Sequence, residues 1–127
     1  MKKLSLILLL FWSVGLTGCS RDAQANAFLK EYASVTADVG AKLEAGQPDE
    51  ARAVYESRKA ALNAKWQAVK YAMPFQLSAE TKKRINAEPQ QNMVELSEAA
   101  NKAIKANPNS EAKVQALVLE LANVFKQ

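Results

Sequence analysis

Histidine is absent from this chain and cysteine occurs once. These two facts remove most of the side chains that enzymes use near neutral pH. Without histidine there is no Ser-His-Asp or Cys-His nucleophile system, no histidine-ligated zinc and no histidine-bound haem. One cysteine cannot close an intrachain disulfide or hold an iron–sulfur cluster. No catalytic residue, metal or haem is therefore expected. Glycine and proline each occur only four times in 127 residues, and no stretch alternates apolar and polar residues as a half-buried strand does. Alanine is abundant, so the composition favours helices throughout. No apolar run reaches the roughly 20 residues of a membrane-spanning helix.

Charge is nearly balanced. The formal net charge is +4, and basic residues are scattered among acidic ones except at Lys82-Lys83-Arg84. That pattern argues against nucleic acid as a partner. The basic run is a candidate contact for anionic lipid headgroups, at about 1 kcal/mol per residue near a charged surface. The competing reading is a solvated helix face. Glu95 and Glu98 share a helix face, but no cleft is implied around them, and an acid–base pair needs burial to tune its pKa values.

The first twenty residues read as an address. Met1-Lys2-Lys3 is a short positive start, and Leu4 to Leu16 is almost wholly apolar. With small residues at its end, the segment has the layout of a secretory signal peptide. The end of the run, Leu16-Thr17-Gly18-Cys19, resembles the lipobox of bacterial lipoproteins. The resemblance implies cleavage between Gly18 and Cys19, a diacylglycerol on the Cys19 sulfur and an acyl chain on its new amine. Two or more acyl chains make attachment stable where one is marginal. Ser20 after the cysteine resembles the default that is exported to the outer membrane, where an aspartate would tend to retain the protein at the inner membrane. The expected organisation is a signal peptide over 1–18, a lipidated end and short tether over 19–22, and a helical domain over 23–127. Loss of Lys2 and Lys3 would lower the formal charge from +4 to about +2.

The helical domain divides at its punctuation. A first helix should start near Asp22 or Ala23 and run to about Ala45, with Phe28, Tyr32, Val35 and Val39 forming an apolar stripe beside Leu29 and Leu43. Gly46 is a left-handed stop. Pro48 suits the first turn of a second helix, and Asp49 and Glu50 complement its positive end. This helix should run to about Ala72 and bury Ala51, Tyr55, Leu62, Trp66, Val69 and Met73, with Arg58 in the gap. Pro74 breaks it, and Phe75 and Leu77 are expected to plug one end of the core. Ser78 is a fair N-cap for a third helix over Ala79 to about Ala106. Pro89 should either kink that helix or split it near Asn86. Past it, Met93, Leu96, Ala100 and Ala103 or Ile104 form the stripe. Asn107-Pro108-Asn109-Ser110 is a turn. The last helix should run from about Ser110 to Phe125 and carry Val114, Leu117, Val118, Leu121, Val124 and Phe125. Short connections between these helices imply an up-down four-helix bundle.

Gly46 to Tyr55 resembles the inter-helix turn of a tetratricopeptide repeat, but no period of roughly 34 residues accompanies it. A single helix hairpin is the expected form. Trp66, Tyr71, Met73 and Phe75 cluster near the end of the second helix as a candidate docking group for a partner helix, set against ordinary core. The expected function is that of a membrane-anchored, non-enzymatic interaction or envelope-assembly factor. Small helical lipoproteins of this description include pilotins, inhibitors and immunity proteins, although pilotins typically carry a disulfide that one cysteine cannot make. The alternative is a carrier that opens around a small apolar ligand or lipid.

Overall fold

The computed structural model describes residues 21–72 and 76–127. The signal peptide, Gly18, Cys19, Met73 and Phe75 lie outside the described residues. The described chain is all-helical: α1 Asp22–Glu44, α2 Pro48–Lys70, α3 Ala79–Ala106 and α4 Glu111–Ala122, with 3-10 turns at Pro108–Ser110 and Asn123–Lys126. These four helices form a bundle around one core.

The termini follow from local chemistry. Gly46 has φ +75°, a conformation that costs other residues about 1–2 kcal/mol. Its N–H donates to the Leu43 carbonyl at 3.0 Å, and Gln47 N–H donates to Lys42 at 2.9 Å. That is the double reverse bond of a Schellman motif, which satisfies carbonyls the helix end leaves free. Pro48 then stands in the first turn of α2. Ser78 Oγ accepts from Thr81 N–H at 3.1 Å, the N-cap bond expected there. Asn107 Oδ1 accepts from Asn109 N–H at 3.2 Å.

Three boundaries differ from expectation. α2 ends at Lys70, short of Ala72. The last helix stops at Ala122 and tightens into the 3-10 turn Asn123–Lys126, a common way to satisfy the final carbonyls. α3 runs unbroken from Ala79 to Ala106 with Pro89 inside it, so the split near Asn86 is overturned. Proline removes the single N–H that would reach the Ile85 carbonyl. The helical ladder on either side is long enough to survive that loss, and the ring itself is buried.

α1 is the centre of the bundle, packed along both α2 and α3. Phe28, Leu29, Tyr32, Val35, Val39 and Leu43 are all buried, as their spacing predicts. Ala25, Thr36 and Gly40 are buried as well, because α1 presents a second face to α3. Thr36 is satisfied there by donating to the Tyr32 carbonyl at 2.9 Å. Tyr32 donates its hydroxyl to the Leu121 carbonyl at 3.0 Å. This bond ties α1 to the last turn of α4, and burial pushes the phenol far above its ordinary pKa. Leu77 packs partly buried against the core.

Arg58, expected in the gap of the α2 face, bridges to α1. Its Nη2 donates to Glu31 Oε1 at 3.0 Å and to Ser34 Oγ at 2.9 Å, and its Nη1 to Asp38 Oδ2 at 2.6 Å. Lys65 joins the same Glu31 at 3.5 Å. Burial pushes the Glu31 carboxyl up, but the bonds and charges of Arg58 and Lys65 outweigh it and hold the group below the usual carboxylate range.

Polar bonds also mark which helix ends meet. Arg21 N–H donates to the Gln76 carbonyl at 2.9 Å, and Ser78 N–H donates to Asp22 Oδ1 at 2.9 Å. The start of α1 therefore sits against the entry to α3. Lys70 Nζ donates to the Gln127 carbonyl at 2.7 Å. At other ends of helices, Lys102 pairs with Glu44 at 3.3 Å and Lys113 with Asp49 at 3.1 Å.

Candidate functional site

The apolar stripes of α3 and α4 are only partly covered. On α3, Leu96, Ala99, Ala100 and Ala103 are buried, whereas Met93 and Ile104 stay partly exposed at the edge of the core. On α4, Val114, Leu117 and Leu121 are buried, while Val118 is half-covered and Leu119 is 60% exposed. The run Leu117-Val118-Leu119 is wider than one helix face, so burying one stripe necessarily leaves apolar surface beside it.

Met93 borders an open cleft of about 540 Å³ where the end of α2, the middle of α3 and the end of α4 meet. Trp66, Ile85, Pro89, Met93, Ala122 and Phe125 supply its apolar wall, and Asn86 and Gln90 its polar edge. A second cleft of about 270 Å³ follows along the α3–α4 seam, with Ile104, Val118, Leu119 and Ala122 among its lining. Ala122 belongs to both, and the α3 residues of the two recur at three- and four-residue spacing along one face. Charged side chains are absent from both linings.

The inner wall is aromatic. The Trp66 ring lies 5.1 Å from Phe28 and 5.0 Å from Phe125, and Phe125 lies 5.0 Å from Tyr32. Tilted and edge-to-face pairs at these distances add stabilisation beyond the area they bury. Trp66 Nε1 and Asn63 Oδ1 are buried without a partner among the described residues.

Of the residues singled out in the sequence, Trp66 lines the cleft. Tyr71 does not: it is 73% exposed beyond the end of α2. Met73 and Phe75 fall outside the described residues. The basic run is divided by its surroundings. Arg84 is engaged, with its Nε donating to Glu88 Oε2 at 2.7 Å and its Nη1 to Asn26. Lys82 and Lys83 make no ion pair among the described residues. Glu95 accepts from Gln91 at 3.3 Å, and both Glu95 and Glu98 are exposed.

Ile85, Pro89, Ile104, Val118, Leu119 and Ala122 were not picked out as site residues by sequence reasoning. The width of the apolar run on α4 was the available signal. A smaller hollow of about 220 Å³ lies on the α1–α3 seam around Gly40, Glu44, Glu95 and Ala99. A Cβ built on Gly40 would meet Ala99 Cβ at 3.6 Å, an ordinary contact.

Among the described residues no three acidic, cysteine or histidine side chains stand together to hold a metal ion, and no helix is long and apolar enough to cross a membrane. Compared with protein-family models, with characterised proteins and with solved structures, the chain matches none.

Proposed function

We propose that this chain is a bacterial lipoprotein, anchored through Cys19 at the periplasmic face of the outer membrane, whose helical body is a non-enzymatic protein-interaction or envelope-assembly module. The observation that carries the reading is the apolar seam between α3 and α4, open to solvent and free of charged lining. Apolar surface without charged side chains is the kind that partners bury at the centre of an interface. A ligand carrier would enclose its cargo and bury most of the ligand's surface, whereas this cleft is open along its length. The anchor reading is supported by Leu16-Thr17-Gly18-Cys19 behind a basic start and an apolar run.

The helices take an up-down order in this proposal. Its support is that Arg21, Gln76, Lys70 and Gln127 meet in pairs at helix ends while Lys102–Glu44 and Lys113–Asp49 link other ends. α3 bends at Pro89, where the missing N–H loosens the ladder. With α1 beginning at Asp22, the tether from Cys19 is a few residues, or about 10 Å at full extension. The body then works at the membrane surface.

The anchor is tested by metabolic labelling with an alkynyl fatty acid and by fractionation. The parent chain should carry label and sediment with outer membranes, and Cys19→Ala should carry none and remain unprocessed or soluble. Label that survives Cys19→Ala refutes the lipoprotein reading.

A further inference from the structure

We propose that the end of the bundle nearest Cys19 docks on an anionic phospholipid surface, with Arg21, Lys82, Lys83 and Lys126 against the headgroups and the Tyr71 ring at their level. The inference rests on the anchor reading and names the second attachment that the anchor brings into reach.

The fold gathers this face from all four helices. Arg21 N–H bonds the Gln76 carbonyl and Asp22 bonds Ser78 N–H, which sets the start of α1 beside the start of α3. Lys70 Nζ bonds the Gln127 carbonyl at 2.7 Å, which sets the end of α2 beside the turn that follows α4. Phe28, near the start of α1, touches both Trp66 and Phe125 and so ties the two pairs of ends together. Lys82 and Lys83 lie in the opening turns of α3, and Lys126 in the turn beyond α4.

Charge separates this end from the rest of the molecule. Arg21, Lys82, Lys83 and Lys126 make no ion pair among the described residues, and Lys70 meets a neutral carbonyl. The acids here are Glu80 and Asp22, and Asp22 accepts from Ser78 N–H. At the opposite end, Lys42 is paired with Glu50, Lys102 with Glu44 and Lys113 with Asp49. Along the body, Arg52, Arg58 and Lys65 are paired as well. Lys30, Lys59 and Lys105 make no ion pair either, but they stand one to a helix on α1, α2 and α3. Lys82-Lys83-Arg84 alone falls short of the roughly 4–8 basic residues that bind anionic lipid, and Arg84 is taken by Glu88. The fold makes up the number by bringing Arg21, Lys70 and Lys126 to the same end.

Tyr71 is a second, independent feature of this end. It is 73% exposed, whereas Tyr32 and Tyr55 are buried, and it follows directly on the last residue of α2. A tyrosine suits the headgroup level, where its ring can enter the apolar layer and its hydroxyl stays wet. The tether supplies proximity. Arg21 is two residues from Cys19, about 7 Å at full extension, inside the screening length of about 8 Å at physiological ionic strength. An anchored chain therefore holds these cations within the field of the surface. The 23 residues of α1 span about 34 Å, which puts the opposite end well outside it. The bundle stands on its end, and the clefts of the α3–α4 seam face sideways along the bilayer.

The test uses the full chain reconstituted in nanodiscs of phosphatidylcholine, with or without phosphatidylglycerol. Tyr71→Trp keeps an amphipathic ring at the face and makes it a depth reporter, quenched by lipid brominated near the headgroup. Its emission, taken over that of the parent chain, should be quenched more with phosphatidylglycerol present, and high salt should reverse the gain. Lys82→Glu with Lys83→Glu should lower the ratio of docked to free orientation by about twentyfold or more, at about fivefold, or about 1 kcal/mol, for each lysine near the surface. Lys102→Glu with Lys105→Glu, the same change of charge at the opposite end, should leave it unchanged. Thermal melts of each variant separate lost docking from lost fold. Equal quenching in the two discs, or equal loss from both pairs of substitutions, overturns the proposal. So does protection of Lys82 and Lys83 from an amine reagent in intact envelopes but not in phosphatidylglycerol discs, which would give the face to a protein. The intact mass reports lipid on Cys19 in the same samples. A lipidated chain without the phosphatidylglycerol response sinks the docking face alone, and a chain without lipid that keeps the response supports the face and sinks the anchor.

Discussion

The α1–α2 interface and the α3–α4 seam are made from the same kinds of helix, yet one is closed and the other open. Between α1 and α2, apolar stripes of equal length meet, and the flank is sealed by Arg58 on Glu31, Ser34 and Asp38. Along the α3–α4 seam a 12-residue helix faces a 28-residue one. No ion pair between α3 and α4 closes the edge among the described residues. The apolar run on α4 is wider than the stripe it buries, and that excess leaves one apolar surface in water.

The largest test of the closed side is Phe28→Ala. Phe28 is fully buried and touches Tyr32, Trp66 and Phe125. Its removal should cost about 3–5 kcal/mol in denaturant unfolding. It should also loosen the inner wall of the cleft, reported by the Trp66 emission.

Arg58→Met comes next, at about 1–2 kcal/mol near neutral pH, and its effect depends on pH. In the folded chain Glu31 is held below the usual carboxylate range. A depressed carboxyl contributes stability above its unfolded pKa of about 4.3, and that contribution is lost as pH falls through the folded value. The gap between parent and Met variant should therefore be full at neutral pH and close under acid. A gap that stays constant from neutral pH down to about pH 2, well below the carboxylate range, would show that the network does not depend on the Glu31 charge.

Gly40→Ala should stabilise by about 0.5–1 kcal/mol. The position lies inside α1, and the new methyl would meet Ala99 at 3.6 Å without a clash. A destabilised variant would mean that α1 and α3 pack more tightly than this spacing allows.

Leu119→Lys should move stability least, within about 0.5 kcal/mol, because Leu119 is 60% exposed. A large loss of stability would make this side chain part of the core and close the seam.

Much of the helical framework was legible in the sequence. The α1 stripe, the Gly46 stop, Pro48 in the first turn of α2, the Ser78 cap and the α3 span from Ala79 to Ala106 rest on local periodicity and terminal chemistry, which the chain carries in itself. The partners of Arg58 were half-legible: Glu31, Ser34 and Asp38 recur at three- and four-residue spacing beside the apolar stripe, but pairing them with α2 required the fold. The open side was legible only as an excess. Periodicity identifies an apolar face without telling which flank a neighbour covers, and which of Met93, Val118 and Leu119 stay uncovered became visible only in the packing of α4 on α3. Tyr71 went the other way. It sits one residue past Lys70, where α2 has ended, and so it belongs to no helix face.

The difference between the two sides is tested most directly by photocrosslinking in intact envelopes. A benzophenone side chain is placed at Gln90 or Leu119 on the seam, and at Lys59 or Ala61 on α2. Discrete adducts of the same mass from both seam positions, and none from α2, are expected. Adducts from α2 alone, or the same adducts from all four positions, would contradict the seam as the docking surface.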